Sequence, residues 1–438
     1  MASTTWKAAR KLVHQGLRRM LSSLPRETRF AIYRSFVDCD PAPDGRLQIK
    51  IAETQEELEA SFSLLHDAYV DAGFMKPDPS GMRVTIYHAL PTTTTLCAKW
   101  DGEVVGTISL IRESVFGFPL QKIFDLSGVR ARGGNLAEVS ALAVHPKFRK
   151  TGGAILFPLM KFMYQYATEY FDTRHLLIAV NPNRIEMYES LLFFQRLAVN
   201  VVESYDFANG APAVGASLDL LQAPAIMAAA YSGKPPRKDL LAYFTRIRLP
   251  NLHLPSRRYF TTNDPVLTPE LLDHFFNRRT QGFAGLDMRK RALLHSIYDL
   301  PAYRDILPEL PAPGDGVRLR QGQRFSVKCP GTIHPDPPAP PSKEYAVQVI
   351  EVSDYGFQAY ANEGLPLNVW SSATVHLGRS EISVVKALAV RDRANGFNGF
   401  YGFKVGEPDL VWRKFVSALN HGLTHGDLEH STIFLARS

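Results

Sequence analysis

The stretch LAEVSALAVHPKFRKTGGA, residues 136–154, changes character halfway along. Leu136 to Val144 alternates and is rich in apolar residues, as a buried strand should be; basic residues and two glycines follow, and Ile155-Leu156-Phe157 opens a helical period. The order is strand, loop, helix. In Arg149-x-x-Gly152-Gly153-Ala154, with Thr151 between, small residues leave backbone N–H groups accessible, and the helix N-terminus that follows adds partial positive charge. The loop suits an anionic phosphate; taken alone it also fits a plain turn from strand to helix.

The flanks extend the pattern. Upstream, LQIKIAET from Leu47 alternates as a strand, and ETQEELEASFSLLHDAYVDAGF has a helical period with acidic residues in its first turn. The run TLCAKWDGEVVGTISLI reads as two strands meeting at Asp101-Gly102, a strong hairpin signal. Downstream come a helical LFPLMKFMYQYATEYF, a strand HLLIAV and the block NPNRIEMYESLLFF. This β-α alternation predicts an α/β layer fold.

At 438 residues, 45% hydrophobic and 21% charged, the chain has room for two or three globular domains. Cys39, Cys97 and Cys329 are odd in number, far apart and without metal-ligand spacing, which argues against a disulfide framework or a zinc site and for a reducing cytoplasm. No apolar run approaches the roughly 20 residues that span a bilayer, and no signal-peptide core is evident. A net charge of +7 favours acidic partners without choosing among nucleotides, anionic headgroups and an acidic carrier protein.

Four divisions follow. Residues 1–46 begin with TWKAARKLVHQGLRRML, a basic amphipathic helix that packs on its own domain, docks a carrier protein or, over residues 5–21, lies on an anionic membrane surface. Residues 47–220 form the α/β core. Residues 221–311, proline-rich with basic pairs and apolar helical stretches, form a helical extension closing over the core or a solvated connector. Beyond the PAPGDG cluster, residues 312–438 turn all-β, with short runs such as YAVQVIEV, GFQAYA and SVVKALAV and a closing helix from about Leu410, which predicts a small barrel.

Arg149, Gly152 and Ala154 match the fixed positions of Arg/Gln-x-x-Gly-x-Gly/Ala, the acyl-donor signature of the GNAT acyltransferases. Glu138-Val139-Ser140 resembles the Glu-x-Ser of acyl-homoserine-lactone synthases and of the related long-chain N-acyl amino acid synthases, and GMRVTIYHALPTTT and NGAPAVGASLDL look most like the latter. That resemblance, over residues 48–310, implies an N-acyltransferase with no tightly bound cofactor or metal. Its donor would be acyl-ACP or acyl-CoA, bound through Val144, Arg149, Thr151, Gly152, Gly153 and Ala154, and its acceptor an amino acid. Glu138 would be the general base, Ser140 its companion, and Tyr188 the acid for the leaving thiolate; a strand-end ion pair and a core tyrosine are the alternatives. Ala141 replaces the arginine that lactone synthases carry after Glu-x-Ser, which argues for a simpler amine acceptor, whose carboxylate could meet Arg83 or Arg112. Another amine as acceptor, or a catalytically silent adaptor, remain alternatives.

The C-terminal part resembles a PilZ domain, a six-stranded barrel with a C-terminal helix that binds cyclic di-GMP. Its Arg-x-x-x-Arg corresponds to Arg320 and Arg324, and its Asp/Asn-x-Ser-x-x-Gly to Glu351, Ser353 and Gly356. Glu351 is one methylene longer than the motif asks, so a nucleotide-free scaffold stands beside the receptor reading. The partners implied are acyl carrier protein, an amino acid and cyclic di-GMP, with no nucleic acid polymer.

Overall fold

The computed structural model describes residues 24–420 apart from 115, 150, 199–200, 206–209, 256–258, 265, 299–300, 311–324, 338–342, 362, 379 and 393–398. The amphipathic segment read at 5–21, the Pro/Gly cluster at 311–316, Arg320, Arg324 and the dipeptide Asn395-Gly396, whose sequence suits a hairpin turn, lie outside the described residues. The chain forms two compact units. One comprises the residues up to Gly81, Leu96–Leu110 and Gly117–His253; the other comprises Met82–Thr95, Ile111–Phe116 and the residues from Leu254 onward. The extension read as one piece at 221–311 therefore divides at His253.

The first unit is built on a mixed sheet. In chain order come α1 (Arg26–Ser35), β1 (Leu47–Ile51), α2 (Gln55–Asp71), β2 (Thr93–Trp100), β3 (Glu103–Arg112), β4 (Asn135–Val144), α3 (Leu156–Phe171), β5 (Thr173–Val180), α4 (Pro182–Leu192), β6 (Gln195–Arg196), β7 (Val202–Tyr205), β8 (Ala211–Asp219), α5 (Ala223–Tyr231) and α6 (Leu240–Thr245). The strands lie in the order β1-β2-β3-β4-β5-β8-β6, with β7 on β8. Asp101 and Gly102 both take positive φ, +50° and +86°, the conformation that joins two twisted strands in the tightest hairpin. Thr54 caps α2 by accepting from the Glu57 N–H at 3.3 Å. Gly106 lets α3 settle on β3, because a Cβ there would come within 2.6 Å of the Ile155 side chain.

Two charged contacts fix the outer helices. Arg29 grips Glu186 with a two-pronged bond at 3.1 and 2.6 Å, tying α1 to α4. On α3 the buried Lys161 ammonium donates to the Tyr243 and Phe244 carbonyls at 2.6 and 3.1 Å, so the last turn of α6 is held to α3.

The second unit is a closed antiparallel barrel. Its strands are β9 (Phe325–Pro335), β10 (Tyr345–Ser353), β11 (Gly356–Ala361), β12 (Trp370–His376), β13 (Ile382–Asp392) and β14 (Phe400–Val405), ordered β10-β11-β14-β13-β12-β9. Alternate residues point inward: Val349, Ala359, Ala373, Val375 and Phe403 are buried. Of the two longer helices in this unit, α7 is Met288–Ile297 and α8 is Leu410–Asn420. Trp412, Phe415 and Val416 on α8 join the barrel core, and the Asp409 carboxylate accepts from the Trp412 and Val384 N–H groups, anchoring that helix to β13.

A buried ion pair holds the residues of this unit that come from the hairpin ends. Arg112 donates to Thr94 Oγ1 at 2.7 Å, the Pro91 carbonyl at 2.8 Å and Asp264 at 3.1 Å, while the Thr94 hydroxyl also bonds Asp264. The two ionic side chains are only 7% and 9% exposed. Removing one partner leaves a buried charge behind, so Asp264→Ala is expected to cost about 3 kcal/mol, and Arg112→Met combined with Asp264→Leu to recover most of it. Urea unfolding of the three variants beside the wild type checks both.

Candidate active site

The site begins where two strands part. β4 runs parallel to β5 through Asn135↔Thr173, Leu136↔His175, Ala137↔Leu176 and Glu138↔Leu177, and their pairing ends there. β5 goes on to pair antiparallel with β8 as far as Val180. Three residues later on β4, Ala141 has φ +54°, a left-handed conformation that a side chain adopts at a cost. The far half of β4 is thereby turned away from β5, and its backbone loses ladder partners on that side.

A cavity of about 540 Å³ fills the opening. Its lining includes Glu138, Ser140, Tyr188, Asn181, Asn183 and Arg184 among polar groups, and Met160, Met163, Leu176, Leu218, Met227 and Phe244 among apolar ones. One carboxyl, one guanidinium and a long apolar wall suit a ligand with a small polar head and an extended apolar tail.

Glu138 is 2% exposed, and its Oε2 accepts the Leu120 N–H at 3.0 Å. Burial pushes its carboxyl up to about 8, with the Leu120 hydrogen bond acting the other way. At neutral pH it is mostly protonated and close to releasing its proton. Tyr188 stands on α4, half-buried, packed edge-on against Phe194 with ring centres 6.0 Å apart. Burial raises its phenol above the ordinary value, and Arg184 draws it back in part.

The structure thus brings Glu138, Ser140 and Tyr188 to one cavity. The donor-loop residues form the turn from β4 into α3. Gly152 and Gly153 have φ +68° and +97°, and a Cβ on Gly153 would meet the Phe157 ring at 2.5 Å. Arg149 folds back on β4, its Nε donating to the Val144 carbonyl at 2.8 Å, with Asp71 3.9 Å from its Nη1. Thr151 Oγ1 donates to the Phe148 carbonyl at 2.8 Å, and the Ala154 N–H to the Thr151 carbonyl at 3.3 Å.

Arg112 and Arg83 stand apart from this cavity's lining. Both belong to the second unit and neither lines the cavity; Arg112 spends its Nη donors on Thr94, Pro91 and Asp264. The cation that lines the cavity is Arg184, which stands inside the NPNRIEMY block and was legible there as part of a pattern without a role of its own. The Leu120 N–H on Glu138 carries no sequence signal, because it is a backbone contact made across 18 residues.

In the barrel, Ser353 pairs with Gly356 across the β10–β11 turn, and its Oγ donates to the Gly356 carbonyl at 3.0 Å. The Ser353 carbonyl accepts from Trp412 Nε1 at 3.2 Å. Glu351 follows a register shift in β10 and lies opposite Gln358.

Residues 60–219 match the family model described as N-acyl amino acid synthase FeeM. That stretch runs from within α2 to the end of β8. Among solved structures, FeeM, an N-acyl amino acid synthase from uncultured soil microbes, is 25% identical over 41% of this chain and 94% of that one, with a TM-score of 0.36. The CoA-dependent acyl-homoserine lactone synthase BjaI, solved with SAM and isopentyl-CoA, is 18% identical over 48% and 92%, with a TM-score of 0.33. The putative acetyltransferase yncA from Salmonella typhimurium, with acetyl-CoA, is 17% identical over 40% and 95%, with a TM-score of 0.29. No match was found among curated proteins. The matched segment contains Glu138, Ser140, the donor loop and Tyr188, and ends before α5 and α6.

The raised Glu138 carboxyl has a consequence for stability. Its value is about 8 in the folded chain against an ordinary 4.5, so the folded state binds the proton more tightly, and stability is lost as pH rises between those values. Glu138→Gln, which stays neutral, is expected to melt progressively higher than the wild type as pH is raised from the ordinary carboxylate range to above 8. Paired thermal melts across that range check the trend; a constant offset would contradict it.

Proposed function

We propose that the α/β unit joins an acyl chain, delivered as a thioester of coenzyme A or acyl carrier protein, to the amine of an amino acid. One juxtaposition supports the reading: a buried carboxyl at the point where β4 leaves β5, facing an apolar cavity, within the segment matched to N-acyl amino acid synthases. An acidic carrier also suits the chain's charge of +7.

The acceptor arrives as an ammonium, and Glu138 as carboxylate takes its first proton; a base that titrates near the working pH is the efficient choice. Ser140, beside it on β4, orients the nitrogen. The freed amine attacks the thioester carbonyl, and backbone N–H groups between Ala141 and Val144, released from the ladder, meet the oxyanion. When the tetrahedral adduct collapses, the C–S bond breaks and the C–N bond remains. Tyr188 protonates the departing sulfur as its oxygen takes the second proton from nitrogen. The products are an amide, a free thiol and the proton on Glu138, which returns to solvent. Val144, Arg149 and Thr151 to Ala154 hold the phosphates of the donor arm in this reading.

Purified protein given a long-chain acyl thioester and an amino acid should form an amide detectable by mass spectrometry. Glu138→Gln is expected to lower turnover by about a hundredfold or more, the usual range for a general base. Unchanged turnover in the folded variant removes Glu138 from the chemistry.

We further propose that the barrel takes cyclic di-GMP, with Glu351, Ser353 and Gly356 facing the nucleotide beside Arg320 and Arg324. The support is the Ser353–Gly356 turn, whose backbone is tied to α8 through Trp412, so that a ligand bound there would act on the helix closing the barrel. Calorimetric titration is expected to give heat with the wild type, weaker binding in Arg324→Ala and tighter binding in Glu351→Asp. No heat with any of the three leaves the barrel a scaffold.

A further inference from the structure

The sheet register gives the cavity a direction. Ala137 on β4 is opposite Leu176 on β5, which is opposite Leu218 on β8, so these three form one row across the sheet. Along this row β8 lies two inter-strand spacings from β4, about 10 Å. Immediately after β8 come Leu220, Ala223 and Met227, and then Leu241, Phe244 and Thr245, all lining the cavity. The wall most remote from Glu138 in strand order is thus built by β8 and the two helices that follow it, and those helices lie beyond residues 60–219, where the family match ends.

These helices are firmly attached. The Tyr231 hydroxyl at the end of α5 donates to the Leu191 carbonyl of α4 at 2.9 Å. On α6, Tyr243 packs edge-on to Phe157 with centres 6.2 Å apart, and Phe244 packs edge-on to Tyr164 at 5.8 Å. Lys161, 1% exposed, bonds the last carbonyls of α6, where a cation also complements the partial negative charge of a helix end. Burial lowers its ammonium to about 8. A wall held by hydrogen bonds, ring contacts and a buried cation is costly to displace, so a ligand must fit it.

We propose that α5 and α6 are the chain-length determinant of this enzyme: they close the apolar end of the cavity and set how long an acyl tail it accepts, with Ala223 and Met227 as the residues met by the tail's end. The proposal rests on the acyl-cavity reading above and adds which residues measure the chain. In a rigid apolar pocket each methylene gained or excluded is worth about tenfold or more in discrimination. Bulk added at position 223 therefore shortens the accepted chain, and bulk removed at position 227 lengthens it.

The experiment measures binding of decanoic, myristic and stearic acid to the full chain by calorimetry, which needs no turnover. Ala223→Leu is expected to lower the stearic-to-decanoic affinity ratio by about tenfold, and Met227→Ala to raise it. Two folded variants that bind these acids with the wild-type ratio overturn the chain-length proposal while leaving the acyl cavity in place. A wild type that binds none of the three acids overturns both. Either variant shifting the ratio in the stated direction supports the proposal, and because the two changes act oppositely, a general loss of packing cannot imitate them.

Discussion

Four registered pairs hold β4 against β5, and then the ladder stops. The cavity of the α/β unit depends on that interruption. Had the two strands stayed paired to Val144, their backbone groups would satisfy each other and no space would open between them. The left-handed Ala141 turns β4 aside, while β5 is kept in place by its antiparallel pairing with β8. One strand is free to leave because the other is held. The carboxyl of Glu138 occupies the last paired position, so it is both walled in by the sheet and open to the cavity. This placement gives it a raised affinity for a proton and a route to a ligand at the same time.

The local elements of this unit were legible in the sequence where local chemistry decides them. Asp101-Gly102 turns a hairpin because of its own backbone freedom, α2 starts at Thr54 because of its own cap, and the switch from strand to helix across residues 136–157 appears as β4, the glycine turn and α3. The barrel strands β10, β11 and β13 and the closing α8 were visible in the same way, from alternation and a helical period. The β8 strand was harder to see, because Pro212 and Gly215 interrupt its apolar run and its place is fixed by pairing with β5. β14 was implied by the six-stranded expectation without being placed, and its position is fixed by pairing with β11 and β13.

The site divides along the same line. Glu138, Ser140 and Tyr188 stand in recognisable local patterns, and the fold gathers them at one cavity. Long-range contacts were not readable: the Leu120 N–H on Glu138, and the pairing of Arg112 with Asp264 across 152 residues. A guanidinium's partner is chosen by tertiary structure, and no spacing along the chain announces it. For residues 221–311 the sequence offered a helical extension over the core or a solvated connector, but not which of its residues would line the cavity.

Lys161 grips α6 through main-chain oxygens, which every residue type presents alike. The lysine's share of the attachment is therefore indifferent to which side chains stand at positions 243 and 244, provided the helix keeps its path. Substitutions on the cavity-facing side of α6 can accumulate without loosening its anchor, whereas a fastening made between two side chains would have to change in step. Descendants of such a chain could vary the shape of their pocket by ordinary single substitutions at the cavity-lining positions of α6 while the lysine goes on holding the same main-chain oxygens.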